Sequence, residues 1–247
     1  MDLHCHILPG ADDGARDLGE ALAMLCLARD SGVTEIAATP HFNGTRQSLP
    51  RLKELYSRFL LLQKAAREEQ IDITLYPGAE ILCLPQTVQL ARDGSLPTLG
   101  DSRCVLLEFH FDTPAEVMDT LLDGIAQWDY LPVVAHPERY DTVLEDPRIV
   151  QRWFEKGYVI QLNKGSILGS FGYRVQKTAE WLLLGGLAHL VASDAHSARQ
   201  RTPDMSRLRQ HLEELVSMDY LYLLLEENPA RLIRGQGVIP AEEMELY

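Results

Sequence analysis

Positive charge is in short supply in this sequence: 23 Lys and Arg face 36 Asp and Glu, a formal net charge of −13 with a pI near 5.0. Nucleic-acid phosphates are bound through basic stripes, and no Lys/Arg run is present, so no nucleic-acid partner is expected. Long hydrophobic runs are missing as well. No segment approaches the roughly 20 consecutive apolar residues of a membrane span, and no basic-then-apolar leader precedes the first histidines. The chain is therefore expected to be soluble, cytoplasmic and not membrane-inserted. Cysteine is sparse: Cys5, Cys26, Cys83 and Cys104 lack the paired spacing of a zinc ribbon, and a chain this long has no need of disulfides for stability. They read as free thiols in a reducing compartment. Neither a nucleotide-binding phosphate loop nor a GxSxG elbow occurs.

What the sequence does have is a full complement of core residues, 46% hydrophobic over 247 positions, arranged in a βα rhythm. Apolar runs that read as strands are DLHCH, VTEIAAT, ITLYPGAE, CVLLEF, LPVVAH, YVIQLN and LAHLVAS. Between and after them, helical stripes cover Leu18–Asp30 with Gly32 as its stop, Arg51–Glu69, Ala115–Trp128, Pro147–Lys156, Val175–Leu184, Leu208–Val216 and Tyr220–Ile233. Seven strands alternating with helices, without a linker or a change of composition, predict an α/β fold of the (βα)7 barrel kind, one domain over residues 1–247. No low-complexity tract or internal repeat is present beyond that rhythm.

In a parallel barrel the C-terminal strand ends meet at one face, and residues there carry chemistry rather than packing. His4 and His6 end the first strand, His41 the second, Glu80 the third and Glu108 the fourth; His136 ends the fifth, and Asp194 and His196 the last. Asp13, in the loop after the first strand, can reach over the same rim. Strand alternation puts His4 and His6 on one face and turns Cys5 away to pack. Crowded carboxylates repel unless cations separate them, so these nine residues are expected to bind divalent metal ions. The mixed nitrogen and oxygen set suits manganese, iron, zinc or cobalt without choosing among them. His110, His189 and His211 fall elsewhere and are expected to have structural or surface roles. Arg139 and Arg201 stand where their guanidinium forks can overhang the rim and take phosphate oxygens, with Arg199 as a substitute for Arg201 and a pairing of Arg139 with Glu138 or Asp141 as the alternative. Phe42 and Phe171 read as exposed apolar residues that either line a substrate groove or pack a loop.

DLHCH, DDG, ATPH, YPGAE, LLEF, AHPERY and ASDAH, in this order, resemble the polymerase and histidinol phosphatase (PHP) superfamily. Within it they are most similar to the bacterial manganese-dependent protein-tyrosine phosphatases encoded with capsule and exopolysaccharide genes. The resemblance runs from Asp2 to the ENPARLI segment. It implies a distorted seven-stranded TIM-like barrel holding three divalent ions, manganese before iron, zinc or cobalt. It gives His4, His6, Glu80 and Asp194 to one ion, Glu80, Glu108 and His136 to a second, and Asp13, His41 and His196 to the third. Arg139 and Arg201 match positions that hold the substrate phosphate, and with Asp194 they are the expected catalytic residues. Met1 stands directly before Asp2, so little of the first strand precedes its ligands, and His4 is expected to depend on metal for its order.

The expected reaction is hydrolysis of phosphotyrosine on protein, by in-line attack of a water held between two ions. The leaving phenolate, with a pKa near 10, is a better leaving group than an alkoxide and makes little demand for a general acid. A thiol mechanism is excluded because it needs an arginine six positions after the cysteine, and Ala11, Gly32, Gln89 and His110 occupy those places. The implied partner is the Tyr-rich tail of a bacterial tyrosine kinase that controls polysaccharide export. Three readings stand beside this one: a histidinol-phosphate phosphatase using the same metals, a TatD-like nuclease, which the acidic surface disfavours, and a non-catalytic regulator that binds a kinase. Tyr247 is given no role.

Overall fold

The computed structural model describes residues 1–241, so Tyr247 lies outside the described residues. Nine short strand segments, all paired in parallel, form the central structure: β1 (Asp2–Cys5), β2 (Glu35–Ala38), β3 (His41–Asn43), β4 (Thr74–Pro77), β5 (Glu80–Leu82), β6 (Cys104–Glu108), β7 (Leu131–Ala135), β8 (Val159–Asn163) and β9 (Leu190–Ala192). They amount to seven strand positions, because β2 with β3 and β4 with β5 are interrupted strands. Pro40 has no N–H to give a ladder, so the second strand breaks at Thr39–Pro40; the Pro40 carbonyl then accepts from Glu80 N at 3.0 Å and pairing resumes. The third strand breaks at Gly78–Ala79. His41 and Glu80 therefore open new segments rather than ending old ones, a correction to the expected placement. The segments run β1-β2-β4 and β3-β5-β6-β7-β8-β9. A bridge between Cys5 and Ala195, with Asp194 N to His4 O at 2.8 Å and His6 N to Ala195 O at 2.9 Å, closes the ring.

The described helices are α1 (Leu18–Asp30), α2 (Arg51–Glu68), α3 (Pro85–Arg92), α4 (Ala115–Ala126), α5 (Asp141–Glu145), α6 (Arg148–Glu155), α7 (Lys164–Ile167), α8 (Tyr173–Leu184), α9 (Ser206–Leu215), α10 (Met218–Tyr222) and α11 (Asn228–Ile233). In α1, Ala21, Met24, Leu25 and Ala28 are buried at helical spacing, and Asp17 caps the helix by accepting from Glu20 N at 2.9 Å. The expected continuous helix over Tyr220–Ile233 is instead α10, a π turn over Leu223–Glu227, and α11. Pro229 explains the irregularity: it leaves the Leu225 carbonyl without an i+4 donor, and the Met1 amino group supplies one at 2.8 Å. Among the described residues, no helix is long and apolar enough to cross a membrane.

Alternating strand residues divide the core into two layers. Ile36, Val105, Leu107, Val134, Ile160 and Val191 pack outward against the helices. Leu3, Ala37, Leu106, Val133, Val159 and Leu190 point into the ring, whose floor is closed by Leu232 and Ile233 of α11. Cys5 joins the outer layer, as expected of a packing thiol. Phe42, expected at the surface, is 1% exposed because it faces the helices between inward-facing His41 and its neighbour Asn43. Further up the same inward rows the side chains become Glu80, Glu108, Gln161, Asn163 and Asp194.

Candidate metal centre

Above the apolar floor, Asp13, His41, Glu80, Glu108, His136, Asp194 and His196 line one cavity of about 210 Å³, joined by Phe111, Arg139 and Arg201. His4 and His6 are fully buried beneath it. Glu80 is the hub. Its Oε1 lies 3.2 Å from His4 Nε2 and 2.9 Å from His136 Nε2; its Oε2 lies 3.2 Å from His6 Nε2 and 3.0 Å from His41 Nδ1. Asp194 Oδ1 is 3.6, 3.5 and 3.5 Å from His4, His6 and His196. Asp13 Oδ1 stands 3.4 Å from His41 Nε2 and 3.5 Å from His196 Nε2.

Local folding puts these groups here. β1 carries His4, His6 follows one residue past its end, and the DDG turn packs against them: Asp12 Oδ2 lies 2.9 Å from His6 Nδ1 and 2.8 Å from the His41 N–H, while Oδ1 accepts from Gly14 N. Gly14 is obligatory, since a Cβ there would sit 2.0 Å from the His6 carbonyl oxygen. His136, Asp194 and Arg201 adopt left-handed backbone conformations with φ of 35°, 49° and 49°. That conformation costs an L-residue roughly 1–2 kcal/mol. At His136 it has a clear use. Val134 faces outward, so strict alternation would send His136 outward too, and the left-handed turn brings its ring into the cavity.

Hydrogen bonds at the far side of the rings select which nitrogen faces the cavity. His4 Nδ1 donates to Gln161 Oε1 at 3.0 Å, His6 Nδ1 to Asp12, and His196 Nδ1 to the Asp194 carbonyl at 3.0 Å. In the neutral ring each of these bonds leaves Nε2 as the lone-pair nitrogen facing inward, the arrangement that carboxylate and carbonyl partners give to metal-ligating imidazoles. His136 Nδ1 is buried without a partner.

Electrostatics agree. Burial alone would lower the His6 pKa, but Asp12 and Glu80 raise it to about 9. Burial likewise opposes, yet Glu108 and Glu80 raise His41 to about 11. His4 is also raised, Glu80 and Asp194 outweighing burial. Burial would raise Glu80 and Asp194, but the surrounding imidazoles hold Glu80 well below the carboxylate range and Asp194 at about 2. His196 goes the other way, to about 4, because it is buried beside His6 and Arg201. The centre is a strongly negative field that draws protons onto its histidines and would draw a cation in their stead.

The donor set fits divalent ions. Among the described residues, four groups have ligand atoms within 4.8 Å of one another: His4, His6 and Glu80; His6, Asp13, His41 and His196; His41, Glu80 and Glu108; and His4, His136 and Asp194. Two ligands about 2.1 Å from one ion and at right angles to it are about 3.0 Å apart, close to the spacings found here. The trio Glu80, Glu108 and His136 that the resemblance implies is not drawn together as such. Glu80 touches His136, but Glu108 pairs with His41 at 3.1 Å, as a carboxylate does beside an imidazole held protonated.

Arg139 reaches Asp194 Oδ2 at 3.4 Å, with its guanidinium 4.7 Å from the Phe111 ring centre and 4.4 Å from that of Phe171. It pairs with neither Glu138 nor Asp141. Arg201 Nη2 lies 2.6 Å from Asp194 Oδ2 and its guanidinium 5.8 Å from Phe171. Of the two readings open for Phe171, it takes a place beside the site through both arginines, whereas Arg199 does not line this cavity. His110 is exposed, and His189 is buried away from the rim, accepting from Ile160 N at 3.0 Å and stacking on Phe154. His211 Nε2 is buried without a partner.

Sequence reasoning missed Asp12, Gln161, Asn163 and Phe111. Asp12 was visible as the first residue of DDG. Gln161 and Asn163 are the two polar residues of the run YVIQLN, spaced to face one side, and Asn163 Nδ2 donates to Asp194 Oδ2.

Comparison with known proteins agrees with this geometry. The profile described as "Capsular polysaccharide synthesis, CpsB/CapC" matches residues 1–234. The chain is 33% identical over 240 residues to the tyrosine-protein phosphatase YwqE of Bacillus subtilis, covering 96% of this chain and 93% of that protein. It is 30% identical over 241 residues to the tyrosine-protein phosphatase CpsB of Streptococcus pneumoniae, covering 96% and 99%. A crystal structure from work on those two proteins, described there as unique metal-dependent tyrosine phosphatases, superposes with a TM-score of 0.87 at 32% identity over 97% of this chain and 96% of that one. By sequence and by fold, this chain belongs to the CpsB/CapC family of capsular polysaccharide synthesis.

Proposed function

We propose that this protein is a metal-dependent tyrosine phosphatase of the CpsB/YwqE type acting in capsule synthesis, and that its substrate is the Tyr-rich tail of a bacterial tyrosine kinase. The observation that carries the reading is the convergence of inward-facing imidazole nitrogens and four carboxylates with two guanidinium groups at one cavity. Three divalent ions, manganese first among them, would be held by His4, His6, Glu80 and Asp194, by Glu80, Glu108 and His136, and by Asp13, His41 and His196. Such ions supply Lewis acidity and positive charge where phosphorus is attacked. An ion bound there would compete with the proton that Glu108 and Glu80 favour on His41, whose ligand atoms lie together with theirs.

The chain's own groups do the rest. Arg139, clamped between Phe111 and Phe171, presents a fixed fork to two phosphoryl oxygens. Arg201, bound to Asp194, exchanges part of that contact for the phosphate and screens its charge. Asn163 and Gln161 keep Asp194 and His4 oriented throughout. A small substrate such as histidinol phosphate would meet the same groups, so turnover decides between the two. Assayed with Mn²⁺, a phosphotyrosine peptide is expected to be hydrolysed with the higher kcat/KM; faster turnover of histidinol phosphate would overturn the assignment, and no turnover of either would leave the kinase-binding regulator.

A further inference from the structure

A second cavity, of about 300 Å³, adjoins the metal pocket, and Arg201 lines both. Phe171 forms part of its wall, the same ring that supports Arg139 on the other side. Its charge is the reverse of the molecule's. Lys164, Arg199, Arg201 and Arg207 line it against the single carboxylate of Asp204, in a chain whose net charge is −13. Arg201 is committed to Asp194. The Lys164 ammonium spends its hydrogen bonds on the backbone carbonyls of Thr202 and Asp204 rather than on a carboxylate. Asp204 is occupied in turn, accepting from Ser206 N at 2.8 Å. Among the described residues, no carboxylate lies within 4.0 Å of Arg199 or Arg207. Two exposed arginines without acidic partners thus face one concavity beside the phosphate-binding groups.

The loop that carries them is built rather than loose. Ser197 Oγ accepts from Arg199 N at 3.2 Å and Gln200 N at 2.9 Å and donates to the Gln200 carbonyl at 2.6 Å. His196 N donates to the Arg201 carbonyl at 2.8 Å, and Lys164 ties the following turn to α7. A preformed concavity with unpaired guanidinium groups is suited to a carboxylate, which accepts both N–H bonds of a fork.

We propose that this cavity is a subsite for an acidic side chain close to the phosphotyrosine of the substrate, held by Arg199 and Arg207. The proposal rests on the phosphatase reading. An extended peptide advances about 3.3–3.6 Å per residue, so positions one to three removed from the tyrosine are the ones that lie over Phe171 and enter the cavity. The subsite adds selection to a centre that by itself recognises only a phosphate and a ring.

The net charge makes the test a sharp one, because long-range repulsion by this acidic protein disfavours an acidic peptide and only a local site can reverse that order. With the Mn²⁺-loaded full chain, kcat/KM is measured for two phosphotyrosine peptides that differ in having glutamate or alanine at the three positions on each side. The glutamate peptide is expected to be preferred by about tenfold, with the preference shrinking as salt is added. In the double variant Arg199→Ala, Arg207→Ala the preference ratio is expected to fall to one or below, and in Arg207→Glu to pass to a lysine-flanked peptide. Since each ratio is taken within one preparation, partial misfolding of a variant cancels. Equal or slower turnover of the glutamate peptide by the unsubstituted protein, or an unchanged ratio in the double variant, overturns the subsite and leaves the phosphatase reading standing. Failure to hydrolyse either peptide overturns both.

Discussion

The floor and the mouth of this barrel are made from the same inward-facing strand rows, yet they follow opposite rules. Leu106, Val133, Val159 and Leu190 at the floor remove apolar surface from water and need no partner beyond one another. Two residues further along the same rows, Glu108, Gln161 and Ala192 begin the change to the mouth, where Glu80 and Asp194 are as deeply buried as any leucine. Burying those carboxylates is unfavourable unless each is paired, and the pairing here comes from the imidazoles of His4, His6 and His41, whose pKa values the carboxylates raise in return. The floor therefore provides stability and the mouth consumes it, holding charge in place for chemistry.

The contrast can be broken by substitutions at either end. Asp194→Ala is expected to lower kcat/KM for a phosphotyrosine peptide by at least about 10³-fold, since it removes an anchor for His4, His6, His196 and both arginines. Its effect on the urea unfolding midpoint should be less than half that of the floor variant. Leu106→Ala should show the reverse: a loss of about 2–5 kcal/mol in unfolding free energy, with Mn²⁺ affinity of the folded protein preserved. Equal effects on activity from both variants would erase the distinction.

Histidines sharpen the same comparison through pH. His189, outside the mouth, has no carboxylate beside it, and burial lowers its pKa to about 4. It stays neutral in the folded protein while the unfolded chain takes up a proton near pH 6.5. Stability linked to His189 is therefore complete above that pH and is lost as pH falls from 6.5 towards 4, in total about 3 kcal/mol. His189→Gln should flatten that part of the pH profile of unfolding; an unchanged slope would assign it to other groups. The smallest effect is expected at the rim, where Phe171→Ala removes one face of the Arg139 clamp and should reduce kcat/KM about two- to fivefold, through KM more than kcat.

Much of this was legible in the sequence because it depends on period and on residue type. Apolar runs ending in His, Asp or Glu marked the rim, and the α1 stripe with Gly32 behind it marked a helix with its stop. Less legible was anything set by a broken rule. The interruption at Pro40 hid that His41 opens a segment, and the left-handed turn at His136 carries an outward position inward. Phe42 was misjudged because it follows the break, where the facing of the strand had to be counted afresh. The short helices α5 and α7 have too few turns to show a stripe, and α3, though as long as α6, buries only Thr87, Leu90 and Ala91. Asp12 and Gln161 act on a histidine ring from behind, and a search for ligands passes over the groups that aim them.

Central to the account is that the mouth is held and activated by a cluster of divalent ions. Chelator-stripped protein, titrated with Mn²⁺ while bound metal and phosphotyrosine-peptide turnover are followed together, tests it directly. No turnover before metal is added, saturation at three ions per chain, and loss of both binding and turnover in Glu80→Gln are the expected results. Turnover that survives stripping, or full metal binding in Glu80→Gln, would contradict it.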